Sequence, residues 1–496
     1  MIAAARDWTQ KNPVTALVLL SACITLIRVI TLFVTPLNLG PDEAQYWSWS
    51  LYPSFGYFSK PPLIAWLIGS TTSICGVEEH CIRLSSPFIH AGTSFAVFYA
   101  AQKLYDERVG FWSAVTYLSI PGTSFSSLLI TTDVPLLCFW ALALWSVVEM
   151  QTSKSLRWPV LLGVSLGLGL LSKYAMLYFL LGLAIAFLPS REGRTFLAGR
   201  QMLTSLAVAV VVFSPNLIWN ITNGLATVRH TASNANWNSD RLFNFSHIFE
   251  FLGAQAGIIG PIAAGIFVVG LIRNGRSSSI SASDRLMLAL SAPVITVVTL
   301  QAFISRANAN WAAPAFVTLC ILVCAWALRA NWKKTLAAST VFNVALALFL
   351  CALAMSPALV SAIGQENSVK RLRGWPEAGN TIITIALSAP FTAIMSDDRE
   401  DMASLYYYTR ARTIPLRMMP SQTPGNEYEA AHALSSDVAS YVLFVTRKQD
   451  VSSVTSAFAS SERIGSIETR LDSKRTRVFY LYALRDPVTA STFPSK

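Results

Sequence analysis

A helix needs roughly 20 mostly apolar residues to cross a bilayer. This sequence supplies such runs one after another, at about 14–35, 82–101, 109–128, 131–149, 157–172, 174–189, 201–219, 251–272, 286–305, 311–329 and 333–354. A chain written this way cannot fold around a single water-soluble core. Of its 496 residues 53% are apolar and only 13% charged, the balance of a multi-span membrane protein. The first run follows Arg6 and Lys11, as in a secretory signal, but no small-residue cleavage site follows it, so it reads as a retained first span. Leu63 to Ile74 is apolar yet too short to cross, and reads as an amphipathic helix along the interface.

A net charge of +11 would suit a nucleic-acid partner, but before residue 360 the basic residues fall mostly in short loops between apolar runs, where they set orientation. Nucleic acid is therefore excluded as a leading partner. With a cytoplasmic N-terminus, the cytoplasmic segments hold fifteen Lys and Arg, among them Arg6, Arg108, Arg276, Arg329, Lys333 and Lys334. The opposite loops hold six: Lys60, Arg83, Lys173, Arg229, Arg241 and Arg306. That asymmetry fixes the topology without reference to any motif. An odd number of spans then puts the C-terminal region outside the cytoplasm, on the same side as the first loop.

Composition changes near residue 360. Charge density rises, and Phe391 to Met395, Tyr441 to Thr446 and Arg477 to Leu484 have the length and residue types of strands among helical stretches. The expected organisation is a transmembrane domain over 1–360, with a first outer loop at 36–81, and a soluble outer α/β domain over 361–496. Gly374-Trp375-Pro376 marks the entry to that domain, and Pro415 to Asn426 reads as a loop within it. Cys23, Cys138, Cys320, Cys324 and Cys351 lie in apolar runs and read as packing residues; Cys75 and Cys81 share one loop, where pairing is left open.

The chemistry concentrates between the first two spans, in Gly40-Pro41-Asp42-Glu43-Ala44-Gln45-Tyr46-Trp47 and on to Tyr57-Phe58-Ser59-Lys60-Pro61-Pro62. Acids and a lysine held against a membrane face are costly there unless they bind or transform something. Asp42 suits a group that takes a proton from an acceptor or orients it, with Glu43 positioning a neighbour; helix capping is the plainer role of such a pair. Lys60, aimed by two prolines, suits an anion such as a lipid phosphate, beside Tyr57. Asp133, in Thr131-Thr132-Asp133-Val134-Pro135, resembles a helix N-cap and is also a second acid on the same face. Lys173 and Tyr174 sit between two very apolar runs, Arg306 and Trp311 flank a segment with Asn308 and Asn310 able to grip phosphate or a sugar ring, and His230 follows Arg229 in a long outer loop. All of these fall on one side of the membrane.

Asp-Glu in the first outer loop, Tyr-Phe-Ser-Lys-Pro-Pro some fifteen residues later, Thr-Asp-Val-Pro opening a later span and Ser-Lys-Tyr at a further turn resemble the glycosyltransferase C superfamily. Within it the sequence looks most like the bacterial branch related to protein O-mannosyltransferases and to the aminoarabinose transferase of lipid A. The likeness runs from residue 14 to about 355. It implies a fold of about 11 to 13 spans and an inverting transferase that takes a sugar from a polyprenyl-phosphate carrier at the outer face of the inner membrane. By that resemblance Asp42 matches the acid that works on the acceptor, Lys60 the lysine that holds the carrier phosphate, and Asp133 the second acid. The implied partners are a polyprenyl-phosphate-linked sugar, membrane lipids and a lipid or glycan acceptor, first lipopolysaccharide core or lipid A. No cofactor is required, although Asp42, Glu43 and Asp133 could recruit a divalent metal. The alternatives are a protein O-glycosyltransferase of the same superfamily, a lipid-linked sugar transporter, and a sensor domain on a membrane anchor.

Overall fold

The computed structural model describes residues 11–233, 243–274, 280–411, 413–421 and 423–488. Arg6, Arg241 and Arg276 lie outside the described residues. The chain forms two compact units, one of Met1–Val34 with Lys60–Ala352 and the other of Thr35–Ser59 with Leu353–Lys496. The expected boundary at 360 thus falls near 353. The first outer loop is divided between the units rather than belonging whole to the helical one.

The first unit is helical. Among the described residues five helices are long and apolar enough to cross a membrane: Pro13–Val34, Asp133–Met150, Arg200–Thr222, Ala282–Ile304 and Lys333–Met355; a bent pair makes six. Every other apolar run is helical too, but several of those expected as continuous spans are interrupted, two of them well inside the run. The run at 251–272 folds as Phe245–Ile259 and Pro261–Asn274, bent by 110°. Gly260 at the break has φ +92, and Pro261 offers no N–H to continue the helix. The run at 109–128 stops at Ser119 and resumes at Pro121 for the same reason. Shared water-free packing then depends on close approach: a Cβ at Gly163 would stand 2.5 Å from the Ser205 carbonyl, and one at Gly167 2.6 Å from Val212. These two glycines, one turn apart, let Arg157–Ser172 lie directly on Arg200–Thr222. Cys75 and Cys81 are joined by a disulfide, so the cluster they form with His80 offers no free thiolate for a metal.

The second unit is built on a five-stranded sheet of β1 (Ala393–Ser396), β2 (Leu416–Met418), β3 (Tyr441–Thr446), β4 (Phe458–Arg470) and β5 (Thr476–Pro487), ordered β2-β1-β3-β5-β4. β1 runs parallel to both β2 and β3, whereas β5 is antiparallel to β3 and β4. Two strands escaped the sequence reading. β2 is three residues inside the segment read as a loop, and the 13-residue β4 exposes most of its side chains, so it carries little apolar alternation. The segment 35–59 is stitched into this unit by the Thr35 hydroxyl donating to the Ala354 carbonyl (2.6 Å), Asn38 N–H to the Leu372 carbonyl (2.9 Å) and Leu39 N–H to the Tyr408 hydroxyl (2.7 Å). Its helix, Pro41–Ser50, packs along Arg399–Tyr408, with Trp47 meeting Tyr407 edge-on at 4.9 Å between ring centres.

Candidate active site

Gly40-Pro41 starts the helix Pro41–Ser50, with proline at its first position, where a missing N–H costs nothing. Capping falls to Glu43, not Asp42: the buried Glu43 carboxylate reaches back to the Gly40 N–H at 2.8 Å. Consecutive helix positions point roughly 100° apart, so this division of labour turns Asp42 outward, with its side chain 64% exposed. The two acids therefore do not form one chelating pair. Arg399 donates from Nη1 to Asp42 Oδ1 at 3.0 Å and to Gln45 Oε1 at 2.5 Å. Asp42 and Gln45 are three residues apart and share a helix face. Burial pulls the Arg399 guanidinium down, but Asp42 beside it more than restores the charge, leaving its pKa above the usual value.

Tyr57 is buried and stacks on Trp49 at 4.7 Å, with planes 5° apart. Its hydroxyl donates to the Trp49 carbonyl at 3.0 Å and accepts from Ser54 N–H at 3.1 Å. Burial pushes its pKa up to about 12, so it stays a neutral phenol that closes the loop upon itself. Phe58 N–H donates to Glu427 Oε2 at 2.7 Å, which fixes the chain just ahead of Lys60. Lys60 is half-buried and is followed by Pro61 and Pro62 and then the helix Leu63–Cys75.

In the helical unit, Asp133 is the first residue of Asp133–Met150, but its carboxylate caps no N–H of that helix. Instead Oδ1 accepts from Lys173 Nζ at 2.7 Å and Oδ2 from Asn310 Nδ2 at 2.7 Å. Lys173 can reach because the chain becomes extended there, φ −162 and ψ 136, where Arg157–Ser172 ends. The side chains of Asp133 and Lys173 are 7% and 21% exposed. Next in sequence, Tyr174 donates to Asn216 Oδ1 at 3.0 Å and accepts from Asn220 Nδ2 at 3.0 Å. Trp311, half-buried, packs on the helical core one residue after Asn310. Arg306 is exposed, and His230 lies half-buried on the short helix Ala226–Ser233.

Thus the structure joins Asp133 to Lys173, and brings in Asn310 from the segment already marked by Arg306 and Trp311. Arg399 was missed. It lies in the charged run Asp397-Asp398-Arg399-Glu400-Asp401, where sequence alone does not distinguish a solvated turn from a partner for a distant acid.

Against known proteins, the profile of the dolichyl-phosphate-mannose-protein mannosyltransferase family matches residues 59–219. The lipid A galacturonosyltransferase RgtD of Rhizobium johnstonii is 34% identical over 426 residues, which is 85% of this chain and 89% of that protein. The chain belongs to the glycosyltransferase C superfamily. A second relative of this glycosyltransferase in the same organism, the lipopolysaccharide core galacturonosyltransferase RgtA, is 25% identical over 203 residues, 40% of this chain and 41% of its own. Among solved folds, ArnT from Cupriavidus metallidurans bound to undecaprenyl phosphate superposes with a TM-score of 0.66 at 16% identity, covering 97% of this chain and all of that one. The archaeal oligosaccharyltransferase AglB from Archaeoglobus fulgidus, in complex with an inhibitory peptide and a dolichol-phosphate, gives 0.52 at 12% identity over 88% of this chain and 70% of its own. The membrane fold with its C-terminal sheet domain is therefore that of the superfamily, and the chain is a multi-pass membrane glycosyltransferase.

Proposed function

We propose that this glycosyltransferase moves a uronic acid from a polyprenyl-phosphate carrier to lipid A or the lipopolysaccharide core at the periplasmic face of the inner membrane. The observation that carries this reading is the likeness to a lipid A galacturonosyltransferase, which extends along 85% of this chain and 89% of that one. Two features support the outward placement: the excess of Lys and Arg in the cytoplasmic segments, fifteen against six in the outer loops, and the Cys75–Cys81 disulfide, a bond that persists in oxidising compartments. Eleven to thirteen spans, beyond the long apolar helices, belong to the same proposal.

In the reaction, the acceptor oxygen attacks the anomeric carbon, the bond from that carbon to the carrier phosphate breaks, and the configuration inverts. Lys60 and Arg306 meet the carrier phosphate, where negative charge grows as the bond breaks. Asp42 takes the proton of an acceptor hydroxyl. Asp133 has both oxygens bound and acts as a fixture: it holds Lys173 and Asn310, and through them the turn that carries Tyr174 and the segment that carries Trp311. Glu43 and Tyr57 shape the loop around Asp42, and His230 is assigned to the same substrate-binding set. The chemistry as written uses no cofactor.

The test is transfer by the purified full-length protein from polyprenyl-phosphate galacturonic acid, labelled in the sugar, to lipid A. Label moving to lipid A with release of polyprenyl phosphate is expected. Label that stays on the carrier while crossing the bilayer would make the protein a transporter. Label that appears only on added protein acceptors would make it a protein glycosyltransferase.

A further inference from the structure

We infer that Arg399, supplied by the sheet-bearing part of the chain, is a positioning residue for Asp42, and that it masks the charge of Asp42 toward an anionic acceptor. The inference rests on the reading of Asp42 as the group that works on the acceptor. Its evidence is separate and lies in how Arg399 is held.

Arg399 opens the helix Arg399–Tyr408, and the start of that helix is pinned from behind. Asp398 caps it, accepting N–H bonds from Glu400 at 2.8 Å and Asp401 at 3.0 Å. Arg447, just past β3, grips the fully buried Asp401 at 2.7 Å and Asp398 at 3.3 Å. The far end of the helix is held by Tyr407 against Trp47 and by the Tyr408 hydroxyl against Leu39 N–H. A guanidinium launched from so fixed a base has few places to go. It spans Asp42 and Gln45, which lie nearly one turn apart on Pro41–Ser50.

For an acid 64% exposed, that contact has two consequences. Left alone, an exposed aspartate turns among its rotamers; held at Oδ1 by a charge-assisted bond, it presents Oδ2 in one direction. An acceptor carrying phosphates would also be repelled by a bare carboxylate, and Arg399 cancels that repulsion without occupying Oδ2. A surface ion pair would do neither with consequence, since its partners would be unconstrained. Here Arg399 is two-thirds buried and also bonded to Gln45.

The experiment compares Arg399→Ala, Arg399→Gln and Arg399→Lys in the full-length enzyme, with kcat taken per folded molecule and KM measured for each substrate. Expected are a kcat loss on the order of 10- to 100-fold in Arg399→Ala, a raised KM for lipid A with donor KM unchanged, and partial recovery in Arg399→Lys. In an Asp42→Glu background that retains measurable turnover, Arg399→Ala should cost much less than it does in the native background. A residue that only supported the fold would lower the melting temperature and the folded fraction but leave kcat per folded molecule and both KM values in place. Arg399→Gln, nearly the same length, keeps the comparison readable if the alanine variant does not fold. If Asp42→Asn is inactive and a folded Arg399 variant turns over like the native enzyme, this inference falls alone; if Asp42→Asn is fully active, the reading of Asp42 falls first.

Discussion

The two acids singled out from sequence lead opposite lives. Asp133 is nearly buried in the helical unit, and each of its oxygens has a donor at 2.7 Å, one of them a lysine. Asp42, in the sheet-bearing unit, is mostly exposed and has one oxygen held by an arginine. A carboxylate with both oxygens committed to strong donors serves as a fixture, whereas one with an open oxygen is free to act on an acceptor during reaction. In the proposed reaction this contrast puts the chemistry on Asp42 and the architecture on Asp133.

The largest effect is expected where the contrast puts the chemistry. Asp42→Asn keeps the size and helix position but removes the base, so transfer to an acceptor hydroxyl should fall by roughly 10²- to 10⁴-fold with the melting temperature unchanged. Asp133→Asn, measured side by side, should lose stability as well as turnover. Should Asp42→Asn keep native turnover on lipid A while Asp133→Asn loses it with an unchanged melting temperature, the two roles are reversed.

A second way to break the comparison works through Lys173. Removing one partner of a buried pair strands the other, at a cost of about 3–5 kcal/mol when both are fully buried. With Lys173 21% exposed some water reaches the pair, and a loss of roughly half that is expected for Lys173→Met. Adding Asp133→Asn should return part of the lost melting temperature, since a neutral amide no longer needs the cation. If the single and double variants melt together, the pair is not a fixture. Asn310→Ala, which removes a neutral donor to the same carboxylate, should cost less, about 1–2 kcal/mol, and its effect should overlap with that of Asp133→Asn rather than add to it.

Much of this was legible before any coordinates. Apolar runs announced the five helices long and apolar enough to cross a membrane among the described residues, because hydrocarbon demands length and composition that residue order alone reveals. They did not announce the 110° bend at Gly260-Pro261, since the apolar content continues across it. Asp42 and Asp133 were legible because acids are costly beside a membrane. Their partners were not: Lys173 lies 40 residues from Asp133, Asn310 lies 177 and Arg399 lies 357 from Asp42. The buried Arg28, donating to the Leu118 carbonyl at 2.6 Å from within the first apolar helix, was passed over because one arginine barely lowers the hydropathy of a 22-residue run. Asp284, in the first turn of Ala282–Ile304, was likewise hidden beside a polar loop, although Arg329 holds it with two bonds and Tyr105 and Trp326 each add one.

A third carboxylate sharpens the comparison by separating burial from exposure within one unit. Glu427 belongs to the same unit as Asp42 but is largely sheltered, and its Oε2 accepts the Phe58 N–H. Burial raises its pKa above the ordinary glutamate value, and the Phe58 N–H offsets only part of that rise. The sign follows from proton counting. Between the unfolded value near 4.3 and the raised native one, the folded protein binds more protons than the unfolded chain, so stability falls as pH rises through that window and levels off above it. Glu427→Gln stays neutral and keeps an oxygen for Phe58, so its melting temperature should lack this decline. The difference should be small, seen in full-length protein as curves that diverge from mildly acidic pH upward, with the variant the more stable at neutral pH. If instead the native protein gains stability across that window relative to Glu427→Gln, the charged form is the favoured one, and the bond to Phe58 N–H outweighs the burial.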